Sequence, residues 1–189
     1  MSSMAYKEVA KILITGPFNS GKTTLIKLIS DEQLTGNDVE ATDELAHYKS
    51  MTTVSLDFGV MHIDDGLNVH LFGTPGQARF NFMWKTLSQG ALGTVLLIDS
   101  SSQKAIDEAK EMYAFYRNLP ERPIIIGATK QDLPQAKSIE HIRTELDAEG
   151  VHIVACNPCI KEDAKKVIIA LLEDIIEKES FAEDNAFTF

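Results

Sequence analysis

Gly16-Pro17-Phe18-Asn19-Ser20-Gly21-Lys22-Thr23 spells G-x-x-x-x-G-K-[ST], and this is where residue types and spacing point most directly to chemistry. Glycines allow a tight turn in which successive backbone N–H groups converge on an anion. The apolar run Val9–Thr15 before the motif reads as a buried strand, and the segment from Lys22 to Ser30 after it reads as a helix. That context is the one the motif requires, because the helix N-terminus adds positive potential at the loop. The expected ligand is a nucleotide. The N–H groups of Asn19, Ser20, Gly21, Lys22, Thr23 and Thr24 would face its α- and β-phosphates. Lys22 would reach the β- and γ-phosphates, and the Thr23 hydroxyl would ligate Mg²⁺.

A phosphate loop does not choose the base. Thr129-Lys130-Gln131-Asp132 follows a second buried run, Pro123–Ala128, and so lies at the carboxyl end of a sheet, where open α/β folds bind ligands. The Asp132 carboxylate can accept hydrogen bonds from guanine N1–H and the 2-amino group. Adenine lacks both donors and would leave that carboxylate unpaired. The Lys130 stem can cover the plane of the base.

Strand and helix patterns alternate along the chain. Thr53–Ile63 and Leu67–Phe72 flank Asp64-Asp65-Gly66 and read as a β-hairpin. Thr94–Ile98 and Pro123–Gly127 are continuous apolar runs of the kind buried on both faces of a parallel sheet. Gln103–Asn118 and Asp163–Lys178 have helical spacing. Ser138 opens a further helix that Gly150 closes, and Val151–Val154 is a sixth strand. The expected fold is α/β: a six-stranded, mostly parallel sheet with one antiparallel edge strand and helices on both faces. Residues 1–6 read as an extension, 7–178 as the domain and 179–189 as an acidic tail.

The chain has 189 residues, and 18 Lys+Arg against 28 Asp+Glu give a net charge of −10. That balance argues against nucleic acid or anionic membrane as a partner, since phosphate attraction supplies most of such affinity. It does not exclude one nucleotide held by dipoles, a lysine and a metal. No apolar run reaches membrane-spanning length, the start lacks a signal-peptide core, and neither end carries a lipidation motif. The expectation is a cytoplasmic protein without a direct membrane anchor, monomeric or weakly dimeric. The two cysteines, Cys156 and Cys159, build no disulfide framework. As C-x-x-C they suggest either a loop beside the base or a redox pair.

With these motifs in place, residues 7–178 resemble the Ras-like small GTPases, whose P-loop G-domain matches the fold expected above. Thr53-Val54-Ser55-Leu56-Asp57-Phe58 looks like a first switch, in which the resemblance makes Thr53 a Mg²⁺ ligand. Gly73-Thr74-Pro75-Gly76-Gln77 looks like a second switch. There it implies that the Gly76 N–H touches the γ-phosphate and that Gln77 orients the attacking water. Phe72–Phe80 is similar to the prokaryotic branch of gliding-polarity GTPases and relatives encoded beside roadblock-domain proteins. The implied activity is GTP hydrolysis to GDP and phosphate with Mg²⁺ as cofactor and Lys22 and Gln77 as catalytic groups. Its output is a molecular switch read by effector and activating proteins, including roadblock-domain proteins. A GTP-binding scaffold with little hydrolysis and a P-loop ATPase or nucleotide kinase are the rival readings.

Four positions depart from the family pattern. Gly73 stands where the family has the aspartate that supports Mg²⁺ through water, with Asp57 as a nearby substitute in sequence. Phe18 replaces a glycine and would obstruct an arginine finger, which implies slow intrinsic hydrolysis. Thr129 replaces the usual asparagine. Asn157-Pro158-Cys159 aligns with the loop whose backbone N–H meets the guanine carbonyl, and proline has no N–H. Asn157 is the expected contact there. Arg79 is a solvated switch residue or an intrinsic finger. Phe80, Phe82, Met83 and Trp84 form an apolar cluster suited to partial burial or to an effector surface.

Overall fold

The computed structural model describes residues 8–32, 56–63, 66–119 and 122–186. Thr53, most of the polar segment before it and the Asp64-Asp65 turn fall outside the described residues.

The apolar runs become the strands of one sheet. In chain order these are β1 (Glu8–Thr15), β2 (Asp57–His62), β3 (Leu67–Gly73), β4 (Gly93–Asp99), β5 (Ile124–Thr129) and β6 (Ile153–Cys156). The helices are α1 (Lys22–Ile29), α2 (Trp84–Leu87), α3 (Gln103–Arg117), α4 (Ile139–Leu146) and α5 (Lys161–Ala186), with a 3-10 turn at Ala78–Met83 before α2. Strand order is β2-β3-β1-β4-β5-β6. Among the described strands only the β2–β3 pair is antiparallel, as expected for a hairpin at the edge, and an isolated antiparallel bridge joins Glu32 to Val60 of β2.

Both faces of the sheet are covered, so the central strands are apolar at successive positions. Side chains alternate across a strand. Ile12, Ile14, Val95 and Leu97 therefore pack with Leu25 and Ile26 of α1 and Val167, Ile168 and Leu171 of α5. Leu13, Leu96 and Ile98 point the other way, onto Trp84 of α2, Ile106 and Met112 of α3, and Ile142 of α4. Two cores thus sandwich a sheet whose carboxyl edge is left free to carry the loops.

The structure shifts several boundaries. The Ser138 hydroxyl accepts from His141 N at 3.1 Å and caps α4 as expected, but the helix stops at Leu146. Asp147, left-handed at φ 51°, ends it instead of Gly150. Asp is among the few side chains that tolerate this conformation. Helix α5 runs without a break past Lys178 to Ala186, into the segment expected to be a tail. That stretch contains no glycine or proline to stop it.

Candidate functional site

The loop between β1 and α1 is ordered by its own lysine. Lys22, only 8% exposed, donates to Gly16 O at 2.8 Å, Pro17 O at 2.7 Å and Ser20 Oγ at 3.4 Å. Burial lowers its pKa to about 8, and the negative charge of Asp57 works in the opposite direction. An ammonium held this way is short of solvent and bonded wholly to its own loop. Thr23 and Thr24, on the first turn of α1, are exposed at the mouth of the loop, as is Asn19. Asn19 is left-handed at φ 63°.

The start of the second switch lies on this loop. A Cβ at Gly76 would sit 2.7 Å from Lys22 Nζ and 2.8 Å from Phe18 N, so only glycine fits the approach. Gln77 is exposed at the head of the 3-10 turn. Arg79 stacks its guanidinium over the Phe80 ring at 4.7 Å. The aromatic cluster divides: Met83 and Trp84 are buried against the sheet, while Phe82 is 61% exposed. Phe18, in the phosphate loop, is 71% exposed.

Asp57 is brought to Thr23. The Thr23 hydroxyl donates to Asp57 Oδ2 at 2.5 Å. Asp57 is also the register partner of Gly73 across the β2–β3 ladder. A Cβ at Gly73 would meet Asp57 Cβ at 2.9 Å and Ile26 Cδ1 at 2.9 Å. The space a side chain at 73 would fill is thus already taken by the Asp57 side chain.

At the end of β5, Thr129 and Lys130 are each tied to a neighbouring segment. Thr129 is fully buried, and its hydroxyl is shared between Ser20 O at 3.2 Å and Ile98 O at 3.1 Å. It joins the two loops rather than facing a ligand. Lys130, left-handed at φ 58°, pairs with Asp99 Oδ2 at 2.5 Å. Burial works to raise the Asp99 carboxyl, but hydrogen bonds from Lys130 and Ser101 outweigh it and hold the pKa below the usual value. Asp132 is exposed and lines a cleft of about 230 Å³ with Gln131, Asn157 and Ile160.

Asn157 accepts the Cys159 N–H on its side-chain Oδ1 at 3.0 Å, making the loop after β6 a closed turn. Pro158 is buried against the phosphate loop: a Cβ at Gly21 would meet Pro158 Cγ at 2.7 Å. The base-side and phosphate-side loops are in direct contact there. Sequence reading did not reach this contact, nor the Gly76–Lys22 approach. Each joins segments far apart in the chain, and no local pattern encodes them. Cys156 is buried with its thiol pushed up to about 12, whereas Cys159 is exposed, and both are free. A thiol so hard to ionise is a poor nucleophile, which disfavours a redox pair.

Among the described residues no group of three or more His, Cys, Asp or Glu side chains could hold a metal. No helix of the described residues is long and apolar enough to cross a membrane.

Comparison with known proteins gives the family and the fold. The model of the ADP-ribosylation factor family matches residues 1–175. ADP-ribosylation factor-like protein 3 of Caenorhabditis elegans is 30% identical over 155 residues, covering 78% of this chain and 77% of its own. GTP-binding protein ypt2 of Schizosaccharomyces pombe is 26% identical over 195 residues, covering 100% of this chain and 91% of its own. Among solved structures, the Arl6 BBS3 small GTPase of Trypanosoma brucei, with bound nucleotide analogue GppNp, shares the fold. Its TM-score is 0.69 at 19% identity, over 90% of this chain and 99% of that one.

Proposed function

The chain belongs to the ADP-ribosylation factor family of small GTPases, and from that membership we propose how its own residues perform the family's chemistry. It is a GTP-binding molecular switch that hydrolyses GTP. The observation that supports the residue assignments best is the phosphate loop, held between β1 and α1, sharing the carboxyl edge of the sheet with Asp132.

In this reading the nucleotide's phosphates take the N–H groups of Asn19 to Thr24, and Lys22 leaves the Gly16 and Pro17 carbonyls for the β- and γ-oxygens. Guanine lies against the Lys130 stem, with Asp132 accepting from its N1–H and 2-amino group. The Gly76 N–H meets the γ-phosphate, and Gln77 orients the attacking water for in-line displacement. The chain's groups do little covalent work. They position water and phosphate and stabilise spreading negative charge.

Mg²⁺ fits the donor set. The Thr23 hydroxyl is exposed at the mouth of the loop with a carboxylate oxygen 2.5 Å away. Thr23 would hold the ion together with Thr53, and the bound ion would neutralise charge between the β- and γ-phosphates. The switch segments around residues 36–58 and 73–88 would tighten on the γ-phosphate and relax after its loss. The exposed Phe18 and Phe82, with the half-buried Phe80, offer apolar surface for an effector or activator, including roadblock-domain proteins. Phe18 would obstruct an arginine finger supplied by a partner, so hydrolysis would stay near its slow unaided rate. The protein would work in the cytoplasm.

Nucleotide extracted from protein purified under native conditions tests the reading. GDP or GTP in about one-to-one ratio is expected. Adenine nucleotide, or preferential competition by ATP over GTP, would overturn it.

A further inference from the structure

Position 73 carries no carboxylate, yet one from another strand, Asp57, lies at the mouth of the phosphate loop. The Asp57 carboxylate takes a hydrogen bond from Thr23, the motif's last residue, at 2.5 Å. Its field also reaches Lys22, the motif's only cation. Phosphate brought onto this loop meets that carboxylate as a like charge, and at these distances the repulsion is large in a partly buried site. It turns into attraction only if a cation sits between the two anions.

We propose that in this chain Asp57, delivered from β2, is the carboxylate that anchors the hydration shell of the site's divalent cation in place of a side chain at position 73, and that it repels phosphate when the cation is absent. The inference rests on the nucleotide-binding reading above and names the carboxylate that serves that site.

The backbone explains how Asp57 comes to be there. It is the first residue of β2 and the register partner of Gly73, the last residue of β3. Directly opposed antiparallel residues lie close together, so their side chains compete for one space. Here Asp57 fills it: its Cβ would stand 2.9 Å and its Oδ2 3.4 Å from any Cβ at 73. Ile26 closes the remaining side at 2.9 Å. A carboxylate delivered from β2 therefore reaches Thr23 at the carboxyl end of β3, while position 73 supplies only backbone. Among the described residues no carboxylate besides Asp57 is seen to hydrogen-bond Thr23.

The test measures release of a fluorescent N-methylanthraniloyl GDP from wild type, Asp57→Asn and Asp57→Ala, in millimolar Mg²⁺ and in EDTA. Asp57→Asn keeps size and hydrogen bonding and guards against a folding defect. Wild type should release the nucleotide much faster in EDTA. Both variants should release it faster than wild type in Mg²⁺ and slower than wild type in EDTA, shrinking the EDTA-to-Mg²⁺ rate ratio by about tenfold or more. The double variant Asp57→Gly, Gly73→Asp should recover part of that ratio. Variants that speed release equally in both buffers, or that keep the wild-type ratio, overturn the proposal while leaving the nucleotide reading intact. Wild type that retains no guanine nucleotide in either buffer overturns both.

Discussion

Lys22, in the loop after β1, and Asp132, in the loop after β5, stand along the carboxyl edge of the sheet and are held in opposite ways. Lys22 is buried, shifted in pKa and tied to three oxygens of its own loop. Asp132 is exposed, and rigidity comes from its neighbours: Thr129 bonded into the phosphate loop and Lys130 paired with Asp99. In the proposed reading, affinity at the phosphate end would come from buried dipoles re-partnered when the nucleotide arrives. Selectivity at the base end would come from a charged acceptor waiting in place. The departures from the family pattern follow this division. Gly73 is answered across a strand pair by Asp57, and Pro158, which has no N–H to offer, is used to pack on Gly21.

The largest expected effect breaks the base end alone. Asp132→Ala should cut the preference for GTP over ATP by about 10³-fold or more, since a site built to receive donors rejects ligands that lack them. Phosphate contacts should survive, leaving weak binding of both nucleotides. Competition titrations read through Trp84 fluorescence give the ratio. An unchanged preference would mean that the base is read by other groups.

The next effect belongs to the phosphate end and carries a pH signature. Lys22→Met should weaken GDP binding about a hundredfold. In nucleotide-free protein the sign reverses. With the folded pKa at about 8 and the unfolded value at 10.5, the unfolded chain binds more protons throughout the interval between them. Stability of the nucleotide-free wild type should therefore rise as pH climbs from about 8 to about 10.5, and the full penalty applies below that window. Lys22→Met should remove the slope and be more stable than wild type at pH 7 without nucleotide. Urea midpoints across the pH range decide it, and a flat wild-type curve would sink the point.

Much of the phosphate end was legible because it is local. A glycine-rich loop between an apolar run and a helical pattern states its own geometry, and Thr129–Asp132 after a buried run does nearly the same. The central strands were readable because burial on both faces leaves continuous apolar residues such as Val95–Ile98. The sequence pattern did not show what long-range register decides. Asp57 was a candidate by proximity alone, and only the β2–β3 ladder sets it opposite Gly73 and beside Thr23. Thr129 was legible as part of the base loop, but the reach of its hydroxyl to Ser20 O and Ile98 O was not. The end of α4 was misplaced because glycine is the usual left-handed residue and Asp147 took the role.

A third prediction tests whether the two ends are mechanically joined. Gly21 is left-handed at φ 100° and touches Pro158, so Gly21→Ala should cost about 1–3 kcal/mol in stability, from backbone strain and overpacking together. Adding Pro158→Ala should return the packing share and leave the strain, so the double variant should fall between wild type and the single variant. A double variant no better than Gly21→Ala would place the whole penalty in the backbone and separate the two ends.

The smallest effect concerns Phe18, which lies at the phosphate end but takes no part in its buried network. Its ring is 71% exposed, so Phe18→Ala should change stability by no more than about 0.5 kcal/mol and shift the thermal midpoint by about 1–2 °C at most. Intrinsic single-turnover hydrolysis should stay within about twofold, because the ring's proposed action is to exclude a partner's arginine rather than to touch water or phosphate. A large rise in the unaided rate would show the ring interfering with the attacking water itself. Phe18 would then act from inside the buried network, and the division between buried machinery and exposed recognition would have to be redrawn at the phosphate end.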